Sequence, residues 1–330
     1  MLRPSLTPTS GTTLSGCTSE LGPQQHPLGT LSSYATADGS YSLYSSHFKE
    51  AFHSSAGALA EARSKFVAPA QLERFYGSKQ LRVLDVCVGL GYNSAALIEA
   101  LQGSSIRLQW WGLELDPRPL NLALQQPNFK ANWSLQVLKI LEDIRDSSSW
   151  QQKSSQGTLL WGDARQKLNL LPNNLKIDLI LLDAFSPSRC PKLWSEEFLT
   201  ALARKLAPGG RLLTYCRAAA VRASLRRAGL QLRSLLRVAG EKQGWSAGTL
   251  AISPEPNEAL SLQGPSWQAL TLMEEEHLLT RAAIPYRDPS GQATLEEILE
   301  RRKQEQQHCA MESTNSWQRR WSRDLTGECH

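Results

Sequence analysis

Residues 81–93 read Leu-Arg-Val-Leu-Asp-Val-Cys-Val-Gly-Leu-Gly-Tyr-Asn, and Ser-Ala-Ala-Leu-Ile-Glu-Ala-Leu follows. Apolar residues around Asp85 form a short buried strand, Gly89 and Gly91 permit a tight turn, and the next segment has helical composition. At such a turn, backbone N–H groups and a helix N-terminus face an adenosine-containing cofactor. The spacing Asp-x-Cys-x-Gly-x-Gly differs from the Gly-x-Gly-x-x-Gly of dinucleotide sites and points to S-adenosyl-L-methionine. Three more acids close apolar runs. Glu114 ends residues 106–114, 23 residues after Gly91, where a carboxylate accepts hydrogen bonds from both ribose hydroxyls. Asp163 ends residues 158–163 and either accepts from the adenine amino group or caps the turn that follows. Asp183 ends residues 176–183, a run so apolar that it reads as a strand buried on both faces.

Methyl transfer from a sulfonium requires a neutral nucleophile held in line with the methyl group, so catalysis is mainly positioning. An amine acceptor must be used as the free base, and it gains positive charge as the bond forms. Asp183 suits that need as a hydrogen-bond acceptor and counter-charge, with Phe185 and Pro187 as a dry wall. An amine therefore ranks above a hydroxyl or a carbon as acceptor. Asp183 is the expected catalytic residue. Asp85, Gly89, Gly91, Asn93, Glu114 and Asp163 are the expected cofactor set, and Phe185, Pro187, Lys192 and Trp194 the expected substrate set.

These residues require an α/β fold of the Rossmann-like class I methyltransferase type, a mostly parallel seven-stranded sheet with helices on both faces. Residues 41–67 read as a small aromatic β element followed by a helix over 57–66, with His47, His53 and Ser54 between them. Residues 135–146 carry Val137, Leu138, Leu141 and Ile144 at helical spacing, and a Ser/Gln-rich linker is expected up to Gly157. Ser195 caps the helix after Trp194, which Pro208-Gly-Gly ends. Residues 211–216 form the next strand, and 230–238 with 247–252 form a final antiparallel pair. The expected organisation is a disordered segment over 1–35, a methyltransferase domain over 36–255 and a charged, helical extension over 256–330.

Length and composition agree with one α/β domain plus extensions: 330 residues, 41% hydrophobic, 20% charged. No apolar run approaches the ~18 residues of a membrane span, so no membrane partner is expected. Six scattered cysteines without a Cys-x-x-Cys pair suggest reduced thiols and a cytoplasmic protein. His308-Cys309 and Cys329-His330 lack the spacing of a zinc site, so no metal is expected. The Ser/Thr/Pro-rich N-terminal segment lacks the core of a signal peptide, although a plastid presequence would have this composition. Charge is uneven: ten bases lie between Arg204 and Lys242, with Glu241 the only acid there. Such a block either suits a polyanion or forms a helix face balanced by acids elsewhere.

The chain resembles the methyltransferase domain of the MnmC family, which completes 5-methylaminomethyl-2-thiouridine at the tRNA wobble position. The resemblance covers roughly residues 41–252. It rests on Phe48-Lys-Glu-Ala-Phe-His53, Gly57-Ala-Leu-Ala-Glu61, Val88-Gly-Leu-Gly-Tyr-Asn93, Gly112-Leu-Glu114, Gly162-Asp163, Asp183-Ala-Phe-Ser-Pro187 and Pro191-Lys-Leu-Trp194. The last two are the specific elements. The resemblance implies that Gly89, Gly91 and Glu114 hold S-adenosyl-L-methionine, Asp163 its adenine, and Asp183 with Phe185 the aminomethyl group. It also implies a tRNA partner engaged at its anticodon region, and it favours the polyanion reading of the basic block. Two departures stand out: Cys87 occupies a usual glycine position, and the 75 or so residues after the domain hold no second glycine fingerprint of a fused flavin oxidase. A stand-alone form is therefore expected. Two competing readings share the fold, an aminopropyltransferase like spermidine synthase and a non-catalytic RNA-binding protein. The former normally carries a richer Gly-Gly-Gly-Asp-Gly motif.

Overall fold

The computed structural model describes residues 26–77, 79–237, 245–255 and 261–326. Near the N-terminus, β1 (Leu31–Tyr34), β2 (Ser42–Ser45) and β3 (Glu50–Ala51) form a small antiparallel sheet. The main sheet contains β4 (Gln80–Val86), β5 (Arg107–Glu114), β6 (Ser149–Gln151), β7 (Ser155–Trp161), β8 (Ile177–Leu182), β9 (Leu206–Thr214), β10 (Gln231–Leu235), β11 (Gly248–Ile252) and β12 (Trp267–Gln268). Their order is β12-β10-β11-β9-β8-β4-β5-β7-β6. The run from β7 to β9 is parallel, and β11 and β10 complete it in antiparallel fashion. This is the expected seven-stranded sheet, with short strands β12 and β6 added at its edges.

Strand alternation builds a core on each face. Leu81 and Val83 of β4 pack into one cluster with Leu97, Val137, Leu141 and Ile144, from the helices Tyr92–Ala100 and Leu135–Ser147. Leu84 and Val86 pack into the other with Phe198, Leu202, Val221 and Leu225, from the helices Glu196–Lys205 and Ala219–Arg227. A two-residue period in the strands thus meets helical periods on both sides. β4 lies mid-sheet, so its carboxyl end opens where the chain turns to β5 on one side and β8 on the other, the usual place for a ligand crevice.

Three expectations are corrected. First, the described part of the N-terminal segment is not irregular throughout, because β1 pairs with β2 from Leu31 to Tyr34; residues 1–25 lie outside the described residues. Second, the linker expected before Gly157 is a hairpin in which β6 pairs antiparallel with β7. Trp150 is buried there, and a Cβ on Gly157 would lie 2.2 Å from its ring; Gly157 is therefore the floor under an indole and not a loop glycine. Third, the basic block is largely used internally. Arg211 is buried, donating to the Pro69 carbonyl and Gln71 Oε1, and Arg233 donates to the carbonyls of Ser261 and Leu232. Arg226 pairs with Glu275 and Arg227 with Glu196. Lys242 lies outside the described residues.

The C-terminal residues pack against this body. Leu278, Tyr286 and Ile298 join the second core, and Trp317 is buried. The helices Leu272–His277 and Leu295–His308 both begin with Thr–Glu capping boxes. Arg222 is buried and donates to Glu274 Oε1 at 2.8 Å, to Thr249 Oγ1, to Ser246 Oγ and to the Gly248 carbonyl. Glu274 accepts in addition from Ser234 Oγ at 2.7 Å. Removing one partner of so enclosed a pair leaves an uncompensated charge. Glu274→Ala is expected to lose about 3–5 kcal/mol of stability in denaturant unfolding, and Arg222→Met/Glu274→Leu to regain much of it.

Candidate active site

The turn after β4 is built from left-handed backbone: φ is 70° at Cys87, 56° at Gly89 and 91° at Gly91. Gly91 is the N-cap of the helix Tyr92–Ala100, and a Cβ there would stand 3.1 Å from Leu120. Cys87 adopts this conformation with a side chain, at a cost of roughly 1 kcal/mol relative to glycine. Its N–H donates to the Leu113 carbonyl at 2.9 Å, which ties the turn to β5.

Glu114 ends β5 beside the turn. One carboxylate oxygen accepts from the Gly89 N–H at 2.8 Å, the other from the N–H groups of Leu115 and Asp116 at 2.6 and 2.8 Å. Burial raises its pKa, opposed by these three bonds. Asp85 is fully buried and accepts from Ser94 Oγ at 2.5 Å; burial pushes its pKa up to about 7. Its side chain thus pins the helix to the strand from beneath the turn, whereas the sequence reading placed it on the cofactor.

Asp183 follows β8. Its carboxylate accepts from Asn93 Nδ2 at 2.8 Å, so Asn93, expected on the cofactor, orients the expected catalytic acid. Burial, then the charge of Glu61, lifts the Asp183 pKa to about 7, with the Asn93 bond acting the other way. Phe185 stacks on Phe48 at 4.3 Å between ring centroids and meets Phe52 edge-on at 4.8 Å. Ser186 donates through both N–H and Oγ to Glu50, each at 2.9 Å. The small N-terminal sheet therefore supplies two rings and an anchor that motif reading did not assign to the site.

Trp194, expected to touch substrate, is corrected to a support. It is fully buried, and its Nε1 donates to the Phe185 carbonyl at 2.7 Å. Tyr215 Oη donates to the neighbouring Ala184 carbonyl at 2.9 Å. Pro187 is half-buried in the same loop. Lys192 lines a cavity on the cofactor side.

Two cavities meet along this edge. One, of about 100 Å³, is lined by Phe48, Phe52, Cys87, Gly89, Glu114, Asp183 and Phe185. The other, of about 540 Å³, shares Phe48, Cys87, Glu114 and Cys190 with it and extends to Asp163 and Lys192. Asp163 caps the helix Ala164–Lys167 and is held bidentately by Arg165, whose other arm reaches Asp288 at 2.6 Å. Capping and cavity lining therefore coexist at Asp163. Segments on both sides of the main sheet's strands in sequence form walls: Leu28 borders both cavities, and Thr294, Leu295 and Glu296 border the larger. Arg118 fixes the first wall by donating to the carbonyls of Gly29 and Leu28 at 2.7 and 3.2 Å. Neither wall had a motif to reveal it.

Residues 127–250 match the model of a family described as S-adenosyl-L-methionine-dependent methyltransferase. The solved structure of MnmC2 from Aquifex aeolicus superposes with a TM-score of 0.71 at 27% identity, covering 86% of this chain and 88% of that one. A tRNA 5-methylaminomethyl-2-thiouridine biosynthesis bifunctional protein MnmC, from Azoarcus sp., is 33% identical over 215 residues, which are 61% of this chain and 33% of that protein. The chain is thus similar to S-adenosyl-L-methionine-dependent methyltransferases over residues 127–250 and to MnmC2 over most of its length. It spans about a third of the length of that bifunctional relative. An uncharacterized protein of Methanocaldococcus jannaschii is 27% identical over 274 residues, 82% of this chain and 70% of that one.

The cofactor of this methyltransferase domain is S-adenosyl-L-methionine, and the donor set fits it. Glu114 is a strand-end carboxylate pre-oriented by three backbone donors, and Asp163 lines the far end of the larger cavity, so two acceptors are present for the hydroxyls and amino group of an adenosine. The turn at Gly89 brings backbone close, with no side chain in the way. Among the described residues no group of three His, Cys, Asp or Glu side chains is placed to hold a metal ion, and no helix is long and apolar enough to cross a membrane. With Glu114 as the acceptor of the ribose hydroxyls, Glu114→Ala is expected to cost about 1.5–3 kcal/mol of binding. S-adenosyl-L-methionine affinity in titration calorimetry is expected to fall roughly 10- to 100-fold, with the circular dichroism spectrum unchanged.

Proposed function

We propose that this protein methylates the exocyclic amine of 5-aminomethyluridine or its 2-thio form at the tRNA wobble position, engaging the anticodon region and yielding the 5-methylaminomethyl nucleoside. The observation that carries this reading is the Asp183–Asn93 pair beside the three-phenylalanine wall, at the point where the cofactor cavity narrows. The similarity to MnmC and MnmC2 supports the choice of acceptor.

S-adenosyl-L-methionine, when bound, supplies an electrophilic methyl group on a sulfonium. The protein's own residues do the rest. Asn93 holds the Asp183 carboxylate toward the acceptor, so that it accepts the amine's N–H and balances the charge that grows on nitrogen. Phe48, Phe52 and Phe185 exclude water, which strengthens that interaction. The Trp194 and Tyr215 bonds to the carbonyls of Phe185 and Ala184 fix the loop, and Ser186 is clamped by Glu50. Placement within a few tenths of an ångström is what an in-line transfer needs.

The direct test incubates the full chain and labelled S-adenosyl-L-methionine with tRNA that carries 5-aminomethyluridine, and in parallel with putrescine. Label in the wobble nucleoside supports the reading; label in neither acceptor, with cofactor binding intact, removes it. Asp183→Ala is expected to keep cofactor affinity and to lose about 10²–10⁴-fold in single-turnover methyl transfer.

A pH profile provides a second check. The Asp183 carboxyl, held at about 7 by burial and by Glu61, works as the anion, so the rate should rise with pH through an inflection near 7. Asn93→Ala removes the bond that lowers this pKa and should move the inflection to higher pH. Stability follows the opposite sense. A carboxyl whose folded pKa lies above its unfolded value stabilises fully below the unfolded pKa and loses that contribution as pH rises through 7. Asp183→Asn should accordingly raise the melting temperature at pH 8 and not at pH 4.

A further inference from the structure

A third cavity, of about 570 Å³, lies between residues 54–65, the segment after β9 and the C-terminal residues His277 and Gln318. Such a volume lies within the about 300–1,000 Å³ typical of small-ligand clefts. Two residues connect it to the reacting centre: Tyr215 lines it and bonds the Ala184 carbonyl, and Glu61 lines it while its charge acts on Asp183. The cofactor cavities occupy the β4–β5 side of Asp183, so a methyl acceptor has to arrive from another direction.

Away from the Glu61–Lys65 pair, the lining of this cleft carries aromatic and cationic side chains. Trp245 stands in its wall with the Arg217 guanidinium 5.6 Å from its ring centroid. Arg217 is exposed and donates to the Ser246 carbonyl at 3.0 Å. Arg237 lines the same cleft, and the charges of Arg222 and Arg237, after burial, depress the Arg217 pKa. Clustered guanidiniums of this kind raise the local affinity for an anion. Behind Trp245 lie two rings from the C-terminal extension. His277 is 5.2 Å and Trp317 5.3 Å from it, and those two stack on one another at 4.3 Å and 14°. His277 is held neutral at pH 7, its pKa lowered to about 4 by burial and then by the Arg222 charge, so it acts as an aromatic backing.

We propose that this cleft holds the acceptor nucleotide itself, its base against Trp245, its phosphate at Arg217 and Arg237, and its aminomethyl group directed past Glu61 to Asp183. The inference rests on the tRNA reading above and gives the C-terminal extension a role in it, as the support of the stacking residue. Base–aromatic stacking and a guanidinium on the phosphate are the two contacts by which proteins hold an unpaired nucleotide.

The test measures binding of an anticodon stem-loop RNA bearing 5-aminomethyluridine to the full chain by fluorescence anisotropy, across a salt series, for wild type, Arg217→Ala, Trp245→Ala and Trp245→Phe. Binding of S-adenosylhomocysteine serves as the control for an intact fold. Both alanine variants are expected to bind RNA about tenfold more weakly with unchanged cofactor-analogue affinity. Arg217→Ala should reduce the slope of log affinity against log salt by about one, and Trp245→Phe should restore most of the loss. Wild-type RNA affinity in both alanine variants would overturn the cleft assignment alone. Failure of the wild type itself to bind the RNA, with the cofactor analogue bound, would overturn the tRNA reading along with it.

Discussion

Three carboxylates, Asp85, Glu114 and Asp183, lie side by side at the carboxyl edge of β4, β5 and β8, and each is withdrawn from water. A buried acid needs hydrogen-bond donors or it takes up a proton. Here one donor to each acid comes from one short stretch of chain. Ser94 serves Asp85, the Gly89 N–H serves Glu114 and Asn93 serves Asp183. The glycine turn and the first turn of the helix behind it thus carry a counterpart to each of the three acids.

That arrangement places a demand on everything around it. The turn keeps its shape because Cys87 is bonded to β5 and Leu120 packs close under Gly91. The Asp183 loop keeps its shape because Trp194, Tyr215 and Glu50 hold three successive residues. At the opposite end of the cofactor cleft, Asp163 is oriented by Arg165, which in turn is held by Asp288 of the C-terminal extension, fully buried and bonded also to the Ala293 N–H. Ion pairs join the extension to the sheet layers at Arg222–Glu274 and Arg287–Glu196 as well. The extension belongs to the same packed body as the site it borders.

The parts of the site that were legible in the sequence are those set by local rules. Strand, turn and helix around Asp85 and the acids at the ends of apolar runs follow from periodicity and the special freedom of glycine, which act within a dozen residues. The errors have a common origin. Trp194 sits in a motif, and only packing shows that it faces the core and not a ligand. Asn93 sits beside the glycines, and only its 2.8 Å bond assigns it to Asp183. The arginines after Arg204 are dense in sequence, yet folding sends Arg211, Arg222 and Arg233 inward and pairs Arg226 and Arg227 with acids far along the chain.

The sequence by itself determined the fold class, the position of the glycine turn and the acids that end the strands beside it, because each depends on residue type and short-range spacing. Tertiary structure alone decided which groups surround Asp183. Phe48 and Phe52, which line the cavity with it, come from a sheet more than a hundred residues upstream, and Glu61, whose charge acts on it, from the helix behind that sheet. These contacts bridge long stretches of chain, and a one-dimensional pattern carries no record of which distant side chains the closing of a sheet brings together.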